Sequence, residues 1–357
     1  MFNRFKRMVR WQDWAPGKIP ILCMVGCYLG LAYHHFSLAF LVDLLIFAFL
    51  FASSHSAYGY LINDLGDREL DRQHGKQNAF LEFGLRPGLA MLAALLVVMV
   101  LSGLHFAAHP GFLPLWVLWW FAATVYSLPP FRLKERGAAG LVFSFAAQWA
   151  TPVLLTFAAL EPTAGAERWL FALAVTVGGA TLEIAHQRFD RARDLSTQSG
   201  TLGSRMTAAH LDQLLAVALL LDKAALGVIL LTITLTLSPI TLGAWRLSPG
   251  LPLIGIYAAL LGAALYEMRQ AASLDDRADP YYSARRGAAK LLHETLPNLI
   301  APTYLMLLAA LYQPFNGLLL LAAFLFWRLV LGEADWQWPL HAIRGWREKR
   351  TQPGMTL

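Results

Sequence analysis

Long apolar runs separated by short polar connectors organise this chain from end to end. They fall near 19–34, 38–62, 88–107, 111–128, 138–160, 167–187, 212–238, 251–268, 292–312 and 318–331. A helix needs ~20 mostly apolar residues to cross a bilayer. The last two runs are parted only by Gln313-Pro314-Phe315-Asn316-Gly317, a turn-forming break. They form either a hairpin of two short spans or one span plus a surface helix. The pattern predicts an all-α, polytopic transmembrane bundle of nine or ten helices over 19–331. A basic segment, 1–18, precedes it and a tail, 332–357, follows.

Composition agrees. Of 357 residues, 57% are hydrophobic and 15% charged, whereas soluble domains carry about a quarter charged residues. A disordered chain, a collagen-like chain and a disulfide-stapled secreted scaffold are excluded. The two cysteines, Cys23 and Cys27, share one helical face inside the first run and read as small packing residues. No small-residue cleavage site follows that run, so it is expected to remain as an anchor.

Charge orients the bundle. Arg4, Lys6, Arg7, Arg10 and Lys18 precede the first span and predict a cytoplasmic N-terminus. The loops 64–87, 129–137, 188–211 and 269–291 then share that side and carry most remaining Lys and Arg, including Arg277, Arg285, Arg286 and Lys290. The opposite loops hold only Arg168 and Arg246. Arg344, Arg347, Lys349 and Arg350 favour ten spans, which keep the tail cytoplasmic. The net charge of +6 follows from topology and attraction to anionic membrane lipids and implies no nucleic-acid partner. The expected location is the cell (inner) membrane.

Acids are scarce, so their positions carry information. Asn63-Asp64-Leu65-Gly66-Asp67-Arg68-Glu69-Leu70-Asp71 sits where the second span meets the cytoplasm. Helical spacing places Asp64, Asp67 and Asp71 on one face, where their repulsion is relieved by a divalent cation or balanced by Arg68 and Arg72. Oxygen ligands, water and phosphate suit Mg2+. Asp190 and Asp194 repeat the arrangement at the end of the sixth span, with His186 and Glu183 continuing the stripe inward. Glu183 lies at the edge of membrane depth, where an ionisable group is a functional candidate or pairs with Arg188 or His186. Gly200-Thr201-Leu202-Gly203 suits a tight turn close to a ligand. If the clusters face each other, they form jaws for a metal-bridged diphosphate, with Arg68, Arg72, Lys76, Arg132 and Lys134 available for the remaining phosphate oxygens. Asp222-Lys223, inside a long apolar run, reads as a local ion pair or a boundary mark.

These segments resemble the UbiA superfamily of intramembrane prenyltransferases. Tyr58 to Asp71 resembles its NDxxDxxxD signature. Tyr126-Ser127-Leu128-Pro129-Pro130-Phe131-Arg132-Leu133-Lys134 is similar to its YSxPPxxLK segment, and Asp190-xxx-Asp194 with Gly200 to Gly203 is similar to its second aspartate signature. The resemblance implies a helical bundle with a central cavity, capped on the cytoplasmic side by aspartate loops at 63–86 and 186–205. It implies Mg2+ held by Asn63, Asp67, Asp190 and Asp194, with Asp64 and Asp71 in support. Arg68, Arg132 and Lys134 would hold diphosphate, and Tyr126 would stand near the reacting carbon or phosphate. The chain departs from the pattern after the first signature, where Lys76 to Phe80 occupies the place of a common Arg-Pro pair. It departs again at the second, where Gln187 or His186 stands in place of a leading Asp.

The expected chemistry is loss of diphosphate from an allylic isoprenyl diphosphate donor and attack on the carbon by a hydrophobic acceptor, with His186 or Glu183 as proton acceptor. His186 reads equally as a partner of Asp190. Two rivals remain: phosphoribosyl transfer to a polyprenyl phosphate, and a transporter, against which the one-sided placement of the acids argues. Trp119-Trp120-Phe121 reads as packing or pocket lining. Trp11, Trp14, Trp336 and Trp338 read as interface anchors, and the loop 269–296, with Tyr281-Tyr282 and Arg285-Arg286, reads as a plain cytoplasmic connector or as an aid in choosing the acceptor.

Overall fold

The computed structural model describes residues 2–196, 200–242, 245–270 and 287–330. Arg277, Tyr281, Tyr282, Arg285, Arg286, Trp336, Trp338, Arg344, Arg347, Lys349, Arg350 and the tail 332–357 lie outside the described residues.

Among the described residues ten apolar helices follow one another: α1 (Trp11–Ala32), α2 (Leu38–Gln73), α3 (Leu85–Leu104), α4 (Phe112–Ser127), α5 (Ala138–Leu160), α6 (Glu167–Ser196), α7 (Ala208–Thr236), α8 (Leu251–Gln270), α9 (Ala288–Tyr312) and α10 (Gly317–Val330). Each predicted apolar run falls on one of them. Eight are long and apolar enough to cross a membrane, while α4 and α10 are shorter. The break between α9 and α10 is a single 3-10 turn at Pro314–Asn316. A β-hairpin, β1 (Ile240–Leu242) with β2 (Trp245–Leu247), joins α7 to α8, pairing Thr241 with Arg246.

Length decides where the acids stand. At 1.5 Å per residue, the 36 residues of α2 and the 30 of α6 reach roughly 54 and 45 Å, against a hydrocarbon thickness of ~30 Å. Both helices are thus longer than the apolar layer is thick, and both carry their aspartate signatures in their last turns. The acidic part of the first expected loop, 63–86, is helix as far as Gln73. Only a turn and the short helix Ala79–Glu82 separate it from α3.

The first helix starts earlier than the apolar pattern indicates. Phe2–Met8 is helical, and the chain breaks at Arg10, whose φ of 51° is left-handed, before α1 begins. That break turns Trp14 inward: it is 1% exposed, and its indole N–H donates to the Val9 carbonyl at 2.8 Å. Trp11 packs edge-on against it, ring centroids 5.0 Å apart. Both belong to the core packing rather than to an interface belt. Inside the bundle α1 packs on α5, α9 and α10, α2 on α3 and α4, α5 on α6, and α6 on α7. Phe51 is ringed by Phe47, Phe112, Trp116 and Trp119. Val97, Leu101, Leu220 and Leu235 point outward, as helices apolar on every side do in lipid. Asp222 and Lys223 form a local ion pair at 2.9 Å, joined by His293 at 3.0 Å.

Candidate functional site

The end of α2 sorts its acids onto two sides. Asn63 and Asp67, one turn apart, face a cavity of ≈ 390 Å³. Asp64 and Asp71 lie off its lining, so the single acidic face expected from spacing is divided. Asp64, 0% exposed, takes Arg10 Nη1 at 2.8 Å on one oxygen and the Ala79 N–H at 2.9 Å on the other. Asn78 Nδ2 donates to the Asp64 carbonyl (2.7 Å) and to Asp71 Oδ2 (2.8 Å). These bonds clamp the turn after α2 and leave Lys76 on the cavity rim. Burial opposes the Arg10 charge, but the Asp64 and Asp13 carboxylates outweigh it and raise the guanidinium pKa above its ordinary value.

A basic corner closes over Asp67. Arg132 adopts the left-handed region, φ 38°, a strained choice for a non-glycine residue. Nη1 donates to the Gly66 carbonyl at 2.8 Å, and Nη2 donates to Asp67 Oδ1 at 3.1 Å and to Glu135. Lys134 Nζ donates to Asn63 Oδ1 at 2.8 Å and to Asp67 Oδ2. Burial lowers the Lys134 pKa, and the attraction of Asp67 only partly restores it. Gly66 makes this corner possible, because a Cβ there would stand 2.6 Å from the Ser127 carbonyl oxygen. Arg68 and Arg72, expected with this group, are exposed and off the lining; Arg72 pairs with Glu69 at 2.8 Å.

The second jaw comes from α6. Glu183, His186, Gln187, Asp190 and Asp194 line the same cavity as Asn63 and Asp67. His186 Nε2 is 3.5 Å from Asp190 Oδ2, and the ring is half exposed. Thr201 Oγ1 donates to Asp194 Oδ2 at 2.7 Å. The Gly203 N–H donates to Gln187 Oε1 at 3.0 Å, so Gln187, one of the two residues standing in place of the family pattern's leading Asp, holds the turn. The glycines of this turn answer to protein packing rather than to a ligand: a Cβ on Gly200 would meet the Glu135 carbonyl at 2.5 Å, and one on Gly203 the Gln187 carbonyl at 2.8 Å. Arg188 pairs with Asp212 at 2.5 Å, not with Glu183.

Among the described residues no three His, Cys, Asp or Glu side chains gather closely enough to enclose a metal ion. The donor set fits Mg2+ differently. That ion keeps several waters and takes one or two carboxylates together with phosphate oxygens. Asn63 Oδ1 and Asp67 already converge on one cationic centre, the Lys134 ammonium, and Asp190 and Asp194 share the cavity.

Deeper in, the lining changes character. Lys18, 3.2 Å from Gln148 Oε1, lies over the rings of Tyr60 and Trp149. His55, Ser56, Gly59, Trp119, Tyr126 and Ser144 complete the wall. Trp119 thus lines the pocket, whereas Trp120 and Phe121 point outward at 40% and 57% exposure. Lys18, His55, Tyr60 and Gln148 were missed by sequence reasoning as site residues. The available signal was Ser53-Ser54-His55-Ser56, a polar run inside an apolar span, where polar groups carry function by default.

A multi-pass helical membrane protein with an acidic, base-rimmed cavity at one end is the class these observations define. The model of the UbiA prenyltransferase family matches residues 20–288, and the chain belongs to that family. It is similar in fold to two structures of a UbiA homologue from Archaeoglobus fulgidus, one bound to DMAPP and Mg2+ and one to GPP and Mg2+. Each is 16% identical, with a TM-score of 0.55, covering 86% of this chain and 99% of the homologue. No curated protein matches the chain in sequence.

Proposed function

We propose that the protein transfers an isoprenyl group from an allylic diphosphate to a hydrophobic acceptor within the membrane, with Mg2+ as cofactor and the acidic end facing the cytoplasm at the inner membrane. The carrying observation is that Asn63 and Asp67 of α2 and Asp190 and Asp194 of α6 line one cavity beside Lys76, Arg132 and Lys134. The binding of DMAPP or GPP with Mg2+ by the Archaeoglobus fulgidus homologue supports the reading.

Mg2+, when bound, supplies positive charge at the diphosphate and so eases departure of that group. Asn63, Asp67, Asp190 and Asp194 would hold it. Lys76, Arg132 and Lys134 bind the phosphate oxygens and stabilise the charge that builds as the allylic carbon–oxygen bond breaks, its electron pair leaving with diphosphate. The allylic cation then lies in a wall that includes Trp119 and Tyr126, aromatic groups that attract positive charge, and that excludes water. A lone pair or π bond of the acceptor forms the new bond to carbon, and the proton it releases passes to Glu183 or His186. Asp64 and Asp71 support the site through Arg10 and Asn78.

The test is release of diphosphate by detergent-solubilised protein with DMAPP, GPP or phosphoribosyl diphosphate, with and without EDTA. Turnover of an allylic donor, lost on chelation and in Asp67→Ala and Asp190→Ala proteins that remain folded, is the expected result. Preference for phosphoribosyl diphosphate, or full activity in either variant, overturns it.

A further inference from the structure

His55 lies two turns inward from Asn63 on α2. It is 1% exposed, both ring nitrogens are buried and neither has a hydrogen-bond partner among the described residues, although the residue lines the cavity. An imidazole carries polar nitrogens that need partners, and buried polar groups left unpaired are rare enough to require a reason. Packing does not supply one. The ring stacks on Trp119 at 3.5 Å and 6°, a contact that Phe would make equally well.

The backbone around it is also unusual. A π-helical turn at Ile46–Ala52 leads directly into the His55 segment, and a second, Ala146–Ala150, brings Ala147 and Gln148 to the cavity. Such turns recur at functional sites. Ser53 and Ser54 donate to the Ala48 and Phe51 carbonyls, both at 3.0 Å, and so satisfy groups of the first turn. Gly59, Ala123 and Ala147 keep the adjoining wall small.

We propose that His55 is a specificity-determining contact for the acceptor: a ring nitrogen hydrogen-bonds a hydroxyl or carbonyl substituent on a flat aromatic ring lying beside Trp119. This rests on the prenyl-transfer reading for the role of the occupant. The donor cannot be that occupant, since its hydrocarbon tail offers no polar atom and its diphosphate belongs among the acids and bases at the cavity mouth.

The experiment measures binding of 1-naphthol and of naphthalene, which lacks the hydroxyl, to full-length protein in detergent by equilibrium dialysis. Wild type is expected to hold 1-naphthol roughly tenfold more tightly than naphthalene, the scale of one net hydrogen bond. His55→Phe keeps the stack, loses that preference and still binds GPP with Mg2+; His55→Gln regains part of the preference. In wild type labelled with 15N-histidine, 1-naphthol shifts one ring resonance, the one missing from His55→Phe. An unchanged preference in His55→Phe, or no histidine shift in wild type, overturns the proposal. Wild type that fails to bind GPP yet prefers 1-naphthol through His55 overturns the donor reading and supports this contact.

Discussion

Arg10 Nη1 stands 2.8 Å from Asp64 Oδ1, tying the segment before the first membrane helix to the aspartate signature on the second. The pair divides the signature by role. Asp64 is sealed from the cavity and binds Arg10 and the Ala79 N–H, whereas Asp67 lines the cavity beside Asn63. Removing Arg10 leaves the sealed Asp64 carboxylate without its charge partner, at a cost on the order of 3 kcal/mol, and removing the Asp64 charge leaves the part-buried Arg10 with Asp13 alone. Asp64→Asn and Arg10→Met are therefore expected to lower the thermal midpoint in detergent by several degrees. Asp67→Asn also takes a partner from Lys134 and Arg132, so activity sets it apart: it is expected to abolish diphosphate release, whereas Asp64→Asn and Arg10→Met retain most turnover per folded molecule. Loss of turnover per folded molecule as complete in Asp64→Asn as in Asp67→Asn would remove the distinction.

The five basic residues of the sequence reading separate in the same way. Lys76, Arg132 and Lys134 are on the cavity lining, while Arg68 and Arg72 face outward. Charge-assisted hydrogen bonds to phosphate are about twice as strong as neutral ones. Lys76→Gln is expected to raise the KM for GPP roughly tenfold. Arg68→Gln and Arg72→Gln are expected to leave it within about twofold, as exposed charges do. A large KM effect from Arg72→Gln would mean that the α2 end rotates when donor binds.

Much of this was legible before the structure. The ten apolar runs all became helices because membrane helices are written in composition. Asn63, Asp67, Asp190 and Asp194 met at one cavity because each lies at the same end of a long helix. The inward turn of Trp14 was not legible, since it depends on a left-handed Arg10 that no hydropathy pattern encodes. Nor was the separation of Asp64 from Asp67, because spacing gives the angle between side chains but not which neighbour each meets; Arg10 and Asn78 decided that. Gln187 illustrates the same limit. A departure from the family pattern in one dimension became, in three, a bond that holds the Gly203 turn.

Lys134 sets an alkaline limit. Its ammonium neutralises Asp67 and donates to Asn63 Oδ1, and under the proposed function it would bind a phosphate, so activity is expected to need the charged form. Burial puts its pKa below the ordinary value of 10.5. Rising pH therefore removes the proton sooner than from an exposed lysine, and kcat/KM, which reports the free enzyme, is expected to fall between neutrality and that value. Lys134→Arg keeps its charge throughout this range, so its alkaline limb moves to higher pH even if the peak rate drops. Superimposable limbs in the two proteins would assign the limit to another group.

Gly66 tests whether the basic corner depends on close helix approach. Its missing Cβ would lie 2.6 Å from the Ser127 carbonyl oxygen, a backbone atom that cannot rotate aside. Gly66→Ala must therefore push the end of α2 away from the end of α4, carrying Asn63 and Asp67 off Lys134 and Arg132. Overpacking of this kind costs about 1–3 kcal/mol, and a shift of about 1 Å in a reacting geometry costs on the order of a hundredfold in rate. The control is Gly17→Ala on α1, where nothing stands within 4 Å of the added carbon. There the better helix propensity of alanine is expected to add about 0.5–1 kcal/mol without changing the rate. Thermal unfolding and diphosphate release, measured on both proteins, separate the two effects. Wild-type turnover in Gly66→Ala would show that the corner forms without that approach.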